Sequence, residues 1–213
     1  MSGIIHDLRG GLGIIKNIAA FIEDDNEGNQ ALKKDIIKIN RSVDFCELVL
    51  QNMKLFSDTN IRRFSNVLIT KAVEDVFLLL ERKMIDVNLT TDIYPKETSI
   101  YGDEGQIRQL FMNLIKNAGE AMPEGGVINV KSRIKNEFIN ITVSDTGIGI
   151  SENRLNDIFD IRFTTKEKGW GIGLYIVQNI VEQLGGNIKV KSKLGVGTKF
   201  EIQIPVNKDA END

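Results

Sequence analysis

Two glycine-rich stretches hold the residues best suited to chemistry in this sequence. Asp145-Thr146-Gly147-Ile148-Gly149 comes first, and Gly169-Trp170-Gly171-Ile172-Gly173 runs straight into the apolar Leu174-Tyr175-Ile176-Val177. Glycine at a tight turn lets backbone approach a ligand where a Cβ would collide, and a helix opening just after it offers unpaired N–H groups and a partial positive charge to a phosphate. The pattern points to a nucleotide site. One such loop alone would more often mark an ordinary turn, and Asp145 before Thr-Gly could be an Asx-turn or cap. The helical stretch Asn113-Leu114-Ile115-Lys116-Asn117-Ala118 upstream adds a second signal. Its amides, four residues apart, share one face while Leu110, Leu114 and Ala118 lean elsewhere. Mg²⁺ takes one or two protein oxygens plus phosphates and waters, and Asn117 could supply one, although both amides could also be merely solvated.

The elements that must position these residues follow from hydrophobic spacing. Ile5, Leu8, Leu12, Ile15, Ala19 and Ile22 alternate three and four apart, as do Leu32, Ile36, Ile39, Val43, Cys46, Leu50 and Met53, with turn formers between them from Asp24 to Asn29. This predicts two antiparallel helices. Such a hairpin cannot bury both faces of its own seam, so pairing of two copies into a four-helix bundle, a homodimer, is expected. The polar stretch 57–64 marks a boundary between a first domain at 1–60 and a second at 61–213. Beyond it the pattern predicts a helix over 67–84, a strand over 87–93, a helix over 103–122, a hairpin of strands at 127–134 and 138–144, and a short helix near 152–159. A polar stretch at 162–168, a helix over 171–184 and a hairpin at 187–192 and 198–204 complete it. Antiparallel strands mixed with helices predict an α+β sandwich with the helices on one face.

Composition narrows the classes. In 213 residues, 41% hydrophobic and 27% charged residues make an ordinary globular balance, and the net charge of −3 comes from 30 acids and 27 bases without long blocks. Neither nucleic acid nor membrane contact is expected from that count. The lone Cys46 excludes an internal disulfide framework, and no apolar run reaches the ~18 residues of a membrane span. A cytoplasmic chain, or the cytoplasmic part of a longer sensor, is expected.

Asn113 to Ala118, the Asp145 loop, Phe159 to Lys166 and the Gly169 loop stand in the order of the N, G1, F and G2 boxes of the sensor histidine kinases of two-component systems. The second domain resembles the Bergerat, or GHKL-type, ATP-binding fold that they share with Hsp90-type chaperones and gyrase-type topoisomerases. The first resembles their dimerisation and histidine phosphotransfer hairpin, so the resemblance covers nearly the whole chain. His6-Asp7-Leu8-Arg9 is similar to their H box, and His6 is the only histidine.

The resemblance implies an autokinase that uses ATP and Mg²⁺ to phosphorylate His6 and passes the phosphoryl group to an aspartate of a response regulator receiver domain. Asp7 is the candidate to hold the imidazole tautomer and take its proton. Asp145 would accept the adenine amino group, Gly147 and Gly149 would let backbone pass beneath the ring, and Thr198 would lie near the same end. Asn113, Asn117, Lys166, Gly169, Gly171, Gly173 and Leu174 complete the expected nucleotide site, with Asn117 on the metal. Phe159 and Phe163 read as lid packing rather than adenine stacking. Ile14, Ile18 and Phe21 form a second apolar stripe on the first helix, read either as the regulator's docking face or as a wide bundle core.

The sequence departs from the family in three places. Gly10 and Gly11 stand where Thr or Asn and then Pro are usual, Trp170 replaces a small hydroxyl residue, and only five residues precede His6. A catalytic fragment with weak phosphatase activity is expected from these.

Overall fold

The structure, a computed structural model, describes the backbone of residues 2–26, 64–160 and 171–206, and of 29–46 apart from positions 31, 34, 41, 44 and 45; at 2–7, 9 and 25 it describes backbone alone. The chain divides into two units, Met1–Arg62 and Arg63–Asp213.

In the first unit, helix α1 spans Ser2–Asp25. Asparagines manage the turn that follows it. The Asn26 side chain donates to the Ile22 carbonyl at 3.0 Å, satisfying one of the carbonyls left open at a helix end. Asn29 then caps the helical backbone that resumes beyond it, its Oδ1 accepting from the Leu32 amide at 3.2 Å. Of the expected seam, Ala19, Ile36 and Val43 are buried, the last two a heptad apart, whereas Leu8, Ile15, Ile22 and Ile39 are exposed. No helix among the described residues is long and apolar enough to cross a membrane.

In the second unit the described residues set three α-helices against a five-stranded sheet. Strand β1 (Phe64–Leu68) leads into α2 (Ile69–Leu80) and a single 3-10 turn at Glu81–Lys83. Strands β2 (Val87–Tyr94) and β3 (Ser99–Asp103) precede α3 (Glu104–Glu120). The hairpin β4 (Gly126–Lys135) and β5 (Phe138–Asp145) follows, then α4 (Gly173–Gln183) and the hairpin β6 (Asn187–Lys193) and β7 (Gly197–Pro205). The five-stranded sheet runs β2-β4-β5-β7-β6, and β1 pairs with β3 in a separate ladder.

Alternation along the strands sets the core. Ile128 and Val130 of β4, Ile139, Ile141 and Val143 of β5, and Phe200, Ile202 and Ile204 of β7 are buried, and every second residue points to the open face. Against them pack Val73 and Val76 of α2, Ile107, Leu110, Phe111, Leu114 and Ile115 of α3, and Val177 and Ile180 of α4, all at or near zero exposure. Polar ties fix the helices to one another. Asp103 caps α3 by accepting from the Gln106 amide at 2.9 Å, Arg108 reaches Asp75 of α2 at 2.9 Å, and the buried Gln106 side chain donates to Gln183 of α4 at 3.1 Å.

Three local expectations change. The helix expected over 67–84 begins only at Ile69, because Phe64–Leu68 pairs antiparallel with β3. Neither five-residue strand has a periodic pattern of its own, and each is stabilised by a partner distant in sequence. The helix expected near 152–159 is one 3-10 turn, Glu152–Arg154, followed by turns. Finally, the sheet is not purely antiparallel. β2 pairs with β4 in parallel because β3 and α3 carry the chain back between them.

Candidate functional site

The site is built around the end of α3. Asp145 closes β5, and the loop after it is held on two sides. On one side the Ile148 amide donates to the Ala121 carbonyl at the end of α3 at 3.0 Å. On the other, the Gly195 amide in the β6–β7 turn donates to the Ile148 carbonyl at 2.8 Å, and the Ile150 amide donates to Ser192 Oγ at 2.8 Å. These approaches explain the glycines. A Cβ on Gly147 would sit 2.6 Å from the Ala121 carbonyl oxygen. Gly149 adopts φ +71°, a conformation that L side chains avoid, and a Cβ there would run into the Lys193 carbonyl.

Asp145 is partly buried, and its Oδ1 accepts two backbone amides, Gly147 at 2.9 Å and Thr198 at 3.1 Å. Burial pushes its carboxyl above the ordinary 3.8, and the two amide hydrogen bonds oppose that rise. Among the described residues nothing donates to Oδ2, so one oxygen is left to accept from a ligand. The pocket also uses a residue that sequence reasoning missed. Ser192 Oγ accepts from Ile150, donates to the Gly197 carbonyl at 2.8 Å and lies 3.0 Å from Thr198 Oγ1. Because its single proton goes to Gly197, the remaining contact runs from Thr198 to Ser192 and leaves the Thr198 oxygen as an acceptor. Ser192 lies in the polar run Lys191-Ser192-Lys193, where nothing in the local sequence distinguishes it.

Gly173, the last residue of the second glycine stretch, meets the same helix one turn earlier. An added Cβ on Gly173, the first residue of α4, would lie 3.6 Å from Asn113 Oδ1 and 3.9 Å from Asn117 Nδ2. Both amides therefore face the start of α4, whose Ncap, Ile172, supplies no side-chain hydrogen bond, so its first N–H groups stay open for an anion. Asn113 Nδ2 is buried without a hydrogen-bond partner. A buried donor left unpaired is costly, and because Oδ1 is the atom turned to Gly173, a half-turn of the amide would bring that donor to an incoming phosphate oxygen. The same set fits Mg²⁺ delivered with the phosphates. Among the described residues no group of three acidic, His or Cys side chains could cage a metal, whereas one neutral amide oxygen from Asn117 meets the small demand that Mg²⁺ makes on protein.

The structure thus brings together Asn113, Asn117, Asp145, Gly147, Gly149, Gly173 and Thr198, with Leu174 in the first turn of α4 and Gly171 at φ +63° just before it. Lys166, Gly169, Phe163 and Trp170 lie outside the described residues, as do the side chains of His6 and Asp7, whose backbone is helical. Phe159 packs edge-on against Phe200 at 6.5 Å between ring centroids, a core contact.

Comparison with known proteins gives this geometry its context. Residues 102–208 match the family model for histidine kinase-, DNA gyrase B-, and HSP90-like ATPases. Sporulation kinase A of Bacillus subtilis (strain 168) is 34% identical over 209 residues, covering 96% of this chain and 34% of its own length. Among solved structures, the catalytic domain of the histidine kinase ThkA is 28% identical with a TM-score of 0.62, covering 70% of this chain and 99% of that one. ThkA in complex with the response regulator protein TrrA is 25% identical with a TM-score of 0.64, covering 98% of this chain and 61% of that one. The chain spans between 29% and 49% of the length of the first curated relatives it matches. With its Asp145 loop and its α4 N-terminus both set against α3, the chain belongs to the family of histidine kinase-, DNA gyrase B-, and HSP90-like ATPases.

Proposed function

We propose that this chain is the ATP-dependent histidine autokinase part of a two-component sensor, phosphorylating His6 and passing the phosphoryl group to an aspartate of a response regulator. The observation that carries the reading is the convergence on α3 of an acceptor carboxylate, Asp145, and an orphaned amide, Asn113, facing the open start of α4. Asp145 Oδ2 accepts the exocyclic amine of adenine, Asn113 and the first α4 amides hold phosphate oxygens, and Asn117 lends an oxygen to Mg²⁺. ATP with Mg²⁺ supplies the γ-phosphoryl group and neutralises its charge. A nitrogen of His6 forms the N–P bond as the bond to ADP breaks, and Asp7 takes the imidazole proton. ATP hydrolysis of the chaperone or topoisomerase kind fits less well, because those relatives place a Glu base where this chain has Asn113, and an amide is not a base at pH 7.

The relatives support the kinase reading, and the ThkA–TrrA complex supports a receiver domain as partner. The exposed Leu8, Ile15, Ile22 and Ile39 favour a homodimer, since a second copy would cover them. Ile14, Ile18 and Phe21, also exposed, suit the regulator's docking face. A cytoplasmic location, where ATP is available, goes with this reading. Incubation with γ-labelled ATP and Mg²⁺ tests the assignment. Label stable to alkali and lost in acid is expected, and His6→Gln should remove it while ATP affinity stays within about twofold, because Gln keeps the helix and leaves the nucleotide site untouched. Equal labelling of that variant would reject His6 as the acceptor.

A further inference from the structure

The basic residues of the five-stranded sheet are collected on its open face. In sequence they look dispersed, since a neutral residue separates each from the next in Lys131-Ser132-Arg133-Ile134-Lys135 and in Lys189-Val190-Lys191-Ser192-Lys193. A strand has a period of two, so every such residue projects to the same side. Register extends the face across the sheet. Lys131 stands beside Thr142, Thr142 beside Glu201, and Glu201 beside Lys189, while Lys199 pairs with Lys191. The only strand carboxylates on this side, Asp92 and Glu201, are already engaged, Asp92 with Arg133 at 2.7 Å and Glu201 with Lys191 and Lys199 at 2.8 Å. Lys135, Lys189 and Lys193 are exposed and have no ion-pair partner among the described residues. A strongly positive plane therefore sits on a chain whose net charge is −3.

We propose that this open sheet face is a docking surface for an anionic lipid bilayer. The charge complements a negative headgroup layer, and its carriers are mostly lysines, compact charges on long stems that suit a smeared anionic surface better than bidentate recognition of single groups. One corner adds interfacial aromatics. Tyr94, 69% exposed, stands in register with Arg133, and Phe138, 40% exposed, stands in register with Lys135. These two rings stand at one corner, and the middle of the face carries Asn129, Thr142 and Ser144, so no run of aromatic side chains crosses it to stack successive bases and a single-stranded nucleic acid fits less well. Lysine on the edge strand β6 also guards against strand pairing, but Lys131, Arg133, Lys135 and Lys199 lie on interior strands where no edge needs protection.

Co-sedimentation of the chain with phosphatidylcholine vesicles, with and without 30% phosphatidylglycerol, tests this. Binding is expected to the phosphatidylglycerol vesicles alone and to weaken as salt rises. The triple variant Lys131→Glu, Lys135→Glu, Lys189→Glu should lose at least about tenfold in partitioning, given the several charges brought near the surface. Its ATP affinity, measured in parallel, should be unchanged, which certifies the fold. Absence of binding to the anionic vesicles at low salt, or equal binding by the triple variant, would overturn the proposal. Tighter binding to single-stranded RNA than to the vesicles would assign the face to a different occupant and overturn it as well.

Discussion

The Thr198 amide donates to Asp145 Oδ1 at 3.1 Å across 53 residues of sequence, joining the start of β7 to the end of β5 at the mouth of the pocket. Thr198 is held in turn by Ser192, so the orientation of the carboxylate proposed to read adenine depends on a hydroxyl that does not itself bond Asp145.

Ser192→Ala should therefore raise the KM for ATP about tenfold by leaving the Ile150 amide and the Thr198 hydroxyl unpaired, with kcat within about twofold. Ser192→Thr restores the hydroxyl and should recover most of the loss. Steady-state kinetics alongside thermal melts decide the matter, since a purely structural role would lower Tm without the KM-against-kcat split.

The raised carboxyl of Asp145 gives a pH dependence with a definite sign. Its folded pKa lies above the ordinary value of 3.8, so in the free protein ionisation is disfavoured and the stability cost of the buried charge disappears as pH falls through the folded value. The proposed adenine contact needs the ionised acceptor. Titrating nucleotide affinity downward in pH should show loss beginning above the range of an ordinary aspartate, and Asp145→Asn should be weak and flat across it, because its amide can present a donor to the adenine amine.

Two glycines separate backbone strain from ligand clearance. Gly149→Ala must place a Cβ at φ +71° against the Lys193 carbonyl, so both Tm and ATP binding should fall. Gly173→Ala meets only ordinary contacts, at 3.6 Å and beyond, and improves helix propensity. Its Tm should hold or rise while ATP affinity drops about tenfold, since the new methyl fills part of the space between the start of α4 and the Asn113 and Asn117 amides, where the proposed site holds a phosphate. Calorimetric melts and nucleotide titrations on both variants check the contrast.

Gly10, Gly11 and Gly13 soften the turn of α1 after His6, and an added Cβ at any of them meets nothing within 4 Å. Gly11→Ala should stabilise the helix by about 1 kcal/mol and, if bending there carries His6 between its two partners, slow its phosphorylation. A less stable variant would show instead that a second copy crowds this turn. A variant both more stable and equally fast would leave the glycines without a role as a hinge.

Local pattern in the sequence was enough to read α1 from its three-and-four spacing, α3 with Asp103 at its start, the β4–β5 and β6–β7 hairpins, and the pairing of Asn113 with Asn117 on one helix face. These depend on side-chain periodicity and turn chemistry within some twenty residues, which a sequence displays directly. Tertiary structure alone decided the β1–β3 ladder and the parallel β2–β4 pair, because strand register is set by partners far away in the chain. It also decided that the Asp145 loop would be held by Ala121 and Ser192, whose local surroundings carry no signal. The same pleat turned lysines that look scattered along the chain into one charged plane, since alternation sorts side chains by face only after strands have paired.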